Sequence, residues 1–144
     1  MLKDKVFLTQ TDTTIGFVSQ NAEKLTAIKK RPPHKYYIKA VNSLKTLQTF
    51  TRIPTQHKNR VRRTQKTTFI MPNRHSYRVI RNKHHLRLLN RLQWAYTTSA
   101  NLSNERYNEK FAKESTDIII EPLHETMQSS TIYRLGNKTI KRIR

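Results

Sequence analysis

The chain has 144 residues, enough for one domain with a real core, and 35% of them are hydrophobic. It carries 29 Lys and Arg against nine Asp and Glu, a formal net charge of +20, and no cysteine, which excludes disulfides and thiolate metal sites. No apolar run approaches the roughly 20 residues of a membrane span, and the N-terminal one is too short for a signal peptide, so a cytoplasmic protein with no membrane partner is expected.

Aromatic and β-branched residues recur along the whole chain, which argues for a folded domain with a very polar surface. Residues 5–10, KVFLTQ, read as a short buried strand that runs into a polar turn, TQTDTT. In that turn Asp12 is expected to fix the backbone through hydrogen bonds, and Gly16 to let the chain turn back toward the sheet. QNAEKLTAIKKR follows as a helix with Ala22, Leu25 and Ile28 on one stripe. Ser19 or Asn21 caps it, and Pro32-Pro33 stops it. HKYYIKAV is a second strand, in which Tyr36 and Tyr37 alternate, one buried and the other open to a cavity or to solvent.

NSLKTLQTF reads as a short helix with Leu44 and Leu47 inward, and residues 52–66 as a basic, partly helical segment. TTFIMP and YRVI are strands, and HLRLLNRLQ is a helix with Leu86, Leu89 and Leu92 at helical spacing. AYTTSA is a strand end, NEKFAKES a short helix and DIIIEP a buried strand. STIYRLGNKTIKRIR closes the chain as a hairpin turned at Gly136-Asn137. Strands that alternate with helices predict an α/β (α+β) domain with a mixed sheet.

The acids are unevenly placed. From Lys24 to Asn104 there is no Asp or Glu, while the same span holds 19 Lys or Arg and five His. A polyanion relieves such self-repulsion by releasing counterions, so RNA, DNA or a nucleotide phosphate is the default partner; a merely solvated basic surface is the alternative. The cations Lys58, Arg60, Arg62 and Arg63 of HKNRVRR either contact RNA phosphates or form a solvated face. His84 and His85 point apart at a helix start and have no third ligand nearby, so no metal site is expected there. Trp94 and Tyr96 suit core packing better than base stacking. No carboxylate pair and no Ser–His nucleophile is found.

Three clusters, TQTDTT, TTSANLS and QSSTI, stand at the ends of expected strands, where open α/β sheets bind ligands. A fourth, IKKRPP, puts three cations at a helix end, where they also complement the helix dipole. Taken in order, TQTDTTIGF, AIKKRPPHK, TTSANLS and SSTI resemble the YrdC-like family of threonylcarbamoyl-AMP synthases, over about Val6 to Leu135.

The resemblance implies a single domain over 1–144, a twisted, open mixed sheet of the YrdC/RibB-like type, flanked by helices around a positive cavity. It implies condensation of L-threonine, bicarbonate and ATP, with Mg²⁺, into threonylcarbamoyl-AMP and pyrophosphate. Other tRNA-threonylcarbamoylation proteins would then move the group to the adenosine beside the anticodon of tRNAs that read ANN codons. By the same resemblance Lys29 and Arg31 are the catalytic cations on the ATP phosphates, and Ser99, Asn101 and Arg78 also meet ATP. Thr11, Thr13 and Ser130 face threonine and its carbamate. The alternative is a non-catalytic protein of the same fold that binds double-stranded RNA or tRNA.

Overall fold

The computed structural model describes residues 2–32, 35–102, 105–124 and 129–144. Pro33, His34, Ser103 and Gln128, which the sequence places at a helix stop, a strand start and two polar clusters, lie outside the described residues.

Strand β1 (Phe7–Gln10) turns directly into β2 (Ile15–Ser19). Helix α1 (Ala22–Lys29) starts at Asn21, whose side chain accepts from the Lys24 N–H. Of the two expected caps, Asn21 is the one used; Ser19 Oγ accepts from the Asn21 N–H instead. The helix ends when Lys30 enters the left-handed region at φ 52°, ahead of the prolines. After β3 (Ile38–Val41), Ser43 caps α2 (Leu44–Gln48), and a 3₁₀ turn at Thr55–His57 leads into α3 (Lys58–Arg63). Strands β4 (Thr67–Ile70) and β5 (Ser76–Val79) precede α4 (Lys83–Leu92), capped by Asn82. The chain continues through β6 (Trp94–Ser99), α5 (Glu109–Ser115) and β7 (Ile118–Ile119) to the hairpin of β8 (Thr131–Leu135) and β9 (Ile140–Arg142).

Among the described residues nine strands form one mixed, open sheet in the order β7-β1-β2-β6-β3-β5-β4-β8-β9. Pairs β1–β7, β3–β5 and β4–β8 are parallel and the other five antiparallel. Strand alternation sorts the helices between the faces. Phe7 and Ala40 pack with Leu88, Leu89 and Leu92 of α4, while their neighbours Leu8 and Val41 pack the other way. Leu8 meets Leu25 of α1 and Ala112 of α5; Val41 meets Leu47 of α2 and Val61 of α3. One helix thus serves one face and four serve the other. Beyond the ten residues of α4, the β5, β4 and β8 part of its face carries polar residues in place of a helix, and that is where the site forms.

Four local expectations change. Residues 15–19 are a strand, not the exit of a turn into a helix: all five are buried because β2 is flanked by β1 and β6. β7 is two residues long and half-exposed rather than buried, because it lies at the sheet edge. On α4 the fully buried face is His85, Leu88, Leu89 and Leu92, while Leu86 is only partly buried. Tyr36 and Tyr37 precede the strand proper, yet they divide as expected, at 75% and 7% exposure. Among the described residues no helix is long and apolar enough to cross a membrane.

Candidate functional site

The turn between β1 and β2 is tied by Thr11. Its Oγ1 donates to the Thr14 carbonyl at 2.7 Å and accepts from the N–H groups of Thr13 and Thr14 at 3.3 and 3.2 Å. Asp12 therefore does not perform the turn-fixing role expected of it; its carboxylate leaves the turn and accepts from Arg78 Nη1 at 3.0 Å. Gly16 is also required for a different reason. It lies within β2 at negative φ, and a Cβ there would come 2.8 Å from Thr11 Cγ2 and 3.0 Å from the Thr98 carbonyl. Close approach, not a left-handed backbone, excludes a side chain.

Arg78 sits on β5 with its side chain on the α4 face. Its Nη1 reaches Thr13 Oγ1 at 3.4 Å, and its Nε and Nη2 donate to Thr68 Oγ1 at 3.2 and 3.0 Å. Thr68 Oγ1 lies 3.0 Å from Ser130 Oγ, on the adjacent parallel strand pair. Arg144 closes the chain of bonds, donating from Nη2 to Ser130 Oγ at 3.3 Å and from Nε to the Ser130 carbonyl at 3.1 Å. A buried, hydrogen-bonded path thus runs from Asp12 across β5, β4 and β8.

These groups border a cavity of about 300 Å³. It brings together six residues singled out in the sequence: Thr11, Thr13, Arg31, Arg78, Ser99 and Ser130. Tyr36, Tyr37, Ile38, Thr97 and Arg144 are also part of its wall. Arg31 is held by Nη2 donation to the Tyr36 carbonyl at 3.3 Å, with its guanidinium 4.7 Å from the Tyr37 ring centroid. Asp12 compensates Arg78, and among the described residues no carboxylate pairs with Arg31 or Arg144, which give the lining its positive charge. The arrangement suits a ligand with a polyanionic part and a smaller polar part that hydroxyls can orient.

Lys29 and Asn101 are placed behind the wall. Lys29 is buried, and its Nζ donates to the carbonyls of Ser99 and Asn101, each at 2.8 Å. Burial, with Arg31 nearby, pulls its pKa down from 10.5 to about 8. The Asn101 carboxamide donates to the carbonyls of Leu102 and Glu105. Both side chains therefore shape the segment that presents Ser99. Lys58, Arg60, Arg62 and Arg63 lie on α3, outside the cavity. Arg60, Arg62 and Arg63 are exposed, and the Arg63 carbonyl accepts from Arg81 Nη1 at 2.9 Å.

Arg144 and Thr68 were not read from the sequence. Arg144 has no local signal, since it is one of several cations in KTIKRIR; only the β8–β9 register brings it to Ser130. Thr68 looks like an ordinary strand threonine until Arg78 is placed opposite it. No group of three metal-ligating side chains occurs among the described residues, and the Asp12 carboxylate is engaged by Arg78.

A family profile for the Sua5, YciO and YrdC proteins, described as "Telomere recombination", matches residues 1–144. No curated protein matches the chain. Among solved structures, the Sua5 of P. abyssi complexed with L-threonine superimposes with a TM-score of 0.83 at 18% identity, covering 97% of this chain and 50% of that one. E. coli YciO gives 0.74 at 20% identity, covering 99% and 83%. MTH1692 of Methanobacterium thermoautotrophicum gives 0.73 at 19%, covering 97% and 79%. The chain spans about half the length of the Sua5 structure, and at these identities the likeness establishes the fold.

Proposed function

The chain belongs to the Sua5–YciO–YrdC family, and on that premise we propose that its cavity makes threonylcarbamoyl-AMP from L-threonine, bicarbonate and ATP, for the threonylcarbamoyladenosine modification of tRNA. The observation that carries this reading is the convergence of Arg31, Arg78 and Arg144 with Thr13, Ser99 and Ser130 on one cavity. A fold relative whose structure holds L-threonine supports the amino-acid half of the reading.

The chemistry sets what the cavity must do. The threonine amine and bicarbonate give a carbamate with loss of water; a carbamate oxygen then attacks the α-phosphorus of ATP as the bond to pyrophosphate breaks. Two anions meet in that step, so the barrier is largely electrostatic. Arg31 and Arg144 offset the charge on the phosphates, and their forked donors bind two oxygens at once. Ser130 and Thr13, already fixed by Arg78 and Thr68, orient the threonine side. Lys29 acts through the backbone: by holding two carbonyls it fixes where Ser99 sits. Pyrophosphate release that requires threonine and bicarbonate together is the test. A folded protein that releases none when both are supplied refutes the reading for this chain acting alone.

A second reading rests on α3, where Arg60, Arg62 and Arg63 are exposed on one short helix with no carboxylate near them in sequence. A non-catalytic protein that binds double-stranded RNA or tRNA through this helix would show steeply salt-dependent binding and no nucleotide turnover.

A further inference from the structure

On the sheet face opposite the cavity, α1 and the chain after α2 leave part of β3, β5 and β6 uncovered, and the gap is a groove of about 820 Å³. Strand alternation puts the strand residues of the two sites on opposite faces, and Tyr36 and Tyr37, just ahead of β3, border both. Ile38, Arg78 and Thr97 border the cavity, whereas their chain neighbours Lys39, Tyr77 and Tyr96 border the groove.

Lys39 lies in the groove among three rings. Its Nζ is 3.9 Å from the Phe50 centroid, 4.5 Å from Trp94 and 5.4 Å from Tyr96. Burial lowers its pKa below the ordinary lysine value. Aromatic faces offset the charge but accept no strong hydrogen bond, and no carboxylate among the described residues pairs with this ammonium. Its N–H groups are thus available to an incoming anion. At the rim stands Tyr36, 75% exposed, its ring edge-on to His75 at a centroid separation of 4.9 Å. A large exposed ring held by a neighbour is a ready stacking surface.

Charge selects the occupant. Two ammonium groups, Lys35 and Lys39, face the groove against one carboxylate, Glu23, which stands just before the acid-free span. A lipid tail would have to seat against a lysine floor. A polynucleotide supplies phosphates for the lysines and flat bases for the rings in alternation. We propose that this groove binds single-stranded RNA, with an unpaired base stacked on Tyr36 and an adjoining phosphate on Lys39. Tyr36 borders the cavity as well, but Lys39 and the rings around it lie on the opposite face of the sheet, and the site stands whether or not the cavity adenylates a carbamate.

The test is fluorescence anisotropy with a labelled eight-nucleotide unpaired RNA and an eight-nucleotide abasic chain of equal charge. The ratio of the two affinities is the readout, because loss of any cation weakens both. The unpaired RNA is expected to bind about ten-fold tighter than the abasic chain. Tyr36→Ala and His75→Ala, both at exposed positions, are expected to bring that ratio to near one, and Tyr36→Phe to preserve it. Equal binding of the two chains overturns the proposal, as does a ratio that survives Tyr36→Ala. Displacement of the RNA by AMP at the eight-mer's own affinity, or by an acidic peptide of the same charge, overturns it too, since the site would then take a mononucleotide or a protein. Pyrophosphate release, measured separately, reports only on the cavity, so the two readings fail independently.

Discussion

Arg78 Nη1 holds Asp12 Oδ1 at 3.0 Å across 66 residues of chain, and both side chains are almost completely buried, at 6% and 5% exposure. Two charges removed from water offset each other only as a pair, and Thr68 and Thr13 accept three further guanidinium N–H bonds. Asp12→Ala leaves the guanidinium buried among hydroxyls and is expected to cost about 3–5 kcal/mol. Arg78→Ala is expected to cost a similar amount, and the double variant less than the sum. Urea unfolding of the four proteins measures the coupling. Strictly additive losses would show that the pair does not act as a unit.

Gly16→Ala tests the close approach of the hairpin to β6. The added methyl meets Thr11 Cγ2 on one side and the Thr98 carbonyl on the other, and the carbonyl belongs to a paired strand. An expected loss of about 1–3 kcal/mol follows from overpacking. Thermal denaturation checks it; an unchanged midpoint would mean that the turn moves aside at no cost.

Much of this architecture was legible because it is local. Ala22, Leu25 and Ile28 announce α1, and Gly136-Asn137 announces the last hairpin. The strand Ile15–Ser19 was hidden because a run of threonines precedes it and a glycine lies within it, and because burial on both faces removes the alternation that marks a strand. In the site, clustered hydroxyls and the Lys29–Arg31 run could be read, since each is a short pattern. The Asp12–Arg78 pair and the approach of Arg144 to Ser130 could not. The first depends on sheet order, which brings the β1–β2 turn and β5 into one sheet, and the second on the register of the β8–β9 hairpin. Lys29 was assigned to the ATP phosphates by the resemblance at KKRP, and that motif does not show that its Nζ also donates to the carbonyls of residues 99 and 101.

Arg31→Ala and Arg144→Ala probe the polyanion end of the cavity. Each removes a forked donor from the lining, and Arg144 is exposed enough for the fold to tolerate the change. About ten-fold weaker ATP binding is expected from each, with the ligand-free midpoint nearly unchanged. Thermal shift against ATP concentration gives both numbers in one experiment. ATP affinity equal to that of the unaltered protein would remove either residue from the site.

Lys29 makes stability depend on alkaline pH. Its pKa is about 8 in the folded protein and 10.5 unfolded, so between those values the unfolded chain binds more protons. Stability attributable to Lys29 therefore rises as pH increases from about 8 to 10.5, and is flat below that window. Against Lys29→Met, which lacks the titration, the gain is expected to be on the order of 2 kcal/mol by pH 10.5. Parallel denaturation curves for the two proteins at pH 7.5 and 10.5 isolate it from the other lysines. A constant difference between the proteins would refute the shift.

His85 acts at the acid end. It is completely buried on α4, and neither ring nitrogen finds a hydrogen-bond partner among the described residues. Burial drives its pKa down to about 4; Asp12 opposes the shift, while Arg78 and His84 add to it. The imidazole is thus neutral in the folded protein throughout the range in which the unfolded chain, near 6.5, takes up a proton. Stability is lost as pH falls from about 6.5 to 4, by on the order of 3 kcal/mol from this residue alone. His85→Leu replaces the ring with an apolar side chain beside Leu88 and Leu89 and abolishes the titration. Its stability at pH 7 is expected to be equal or higher, since two unpaired polar atoms leave the core. Between pH 7 and 4.5 it is expected to lose less stability than the unaltered protein. If the two proteins lose stability in parallel over that interval, His85 is not the group that titrates.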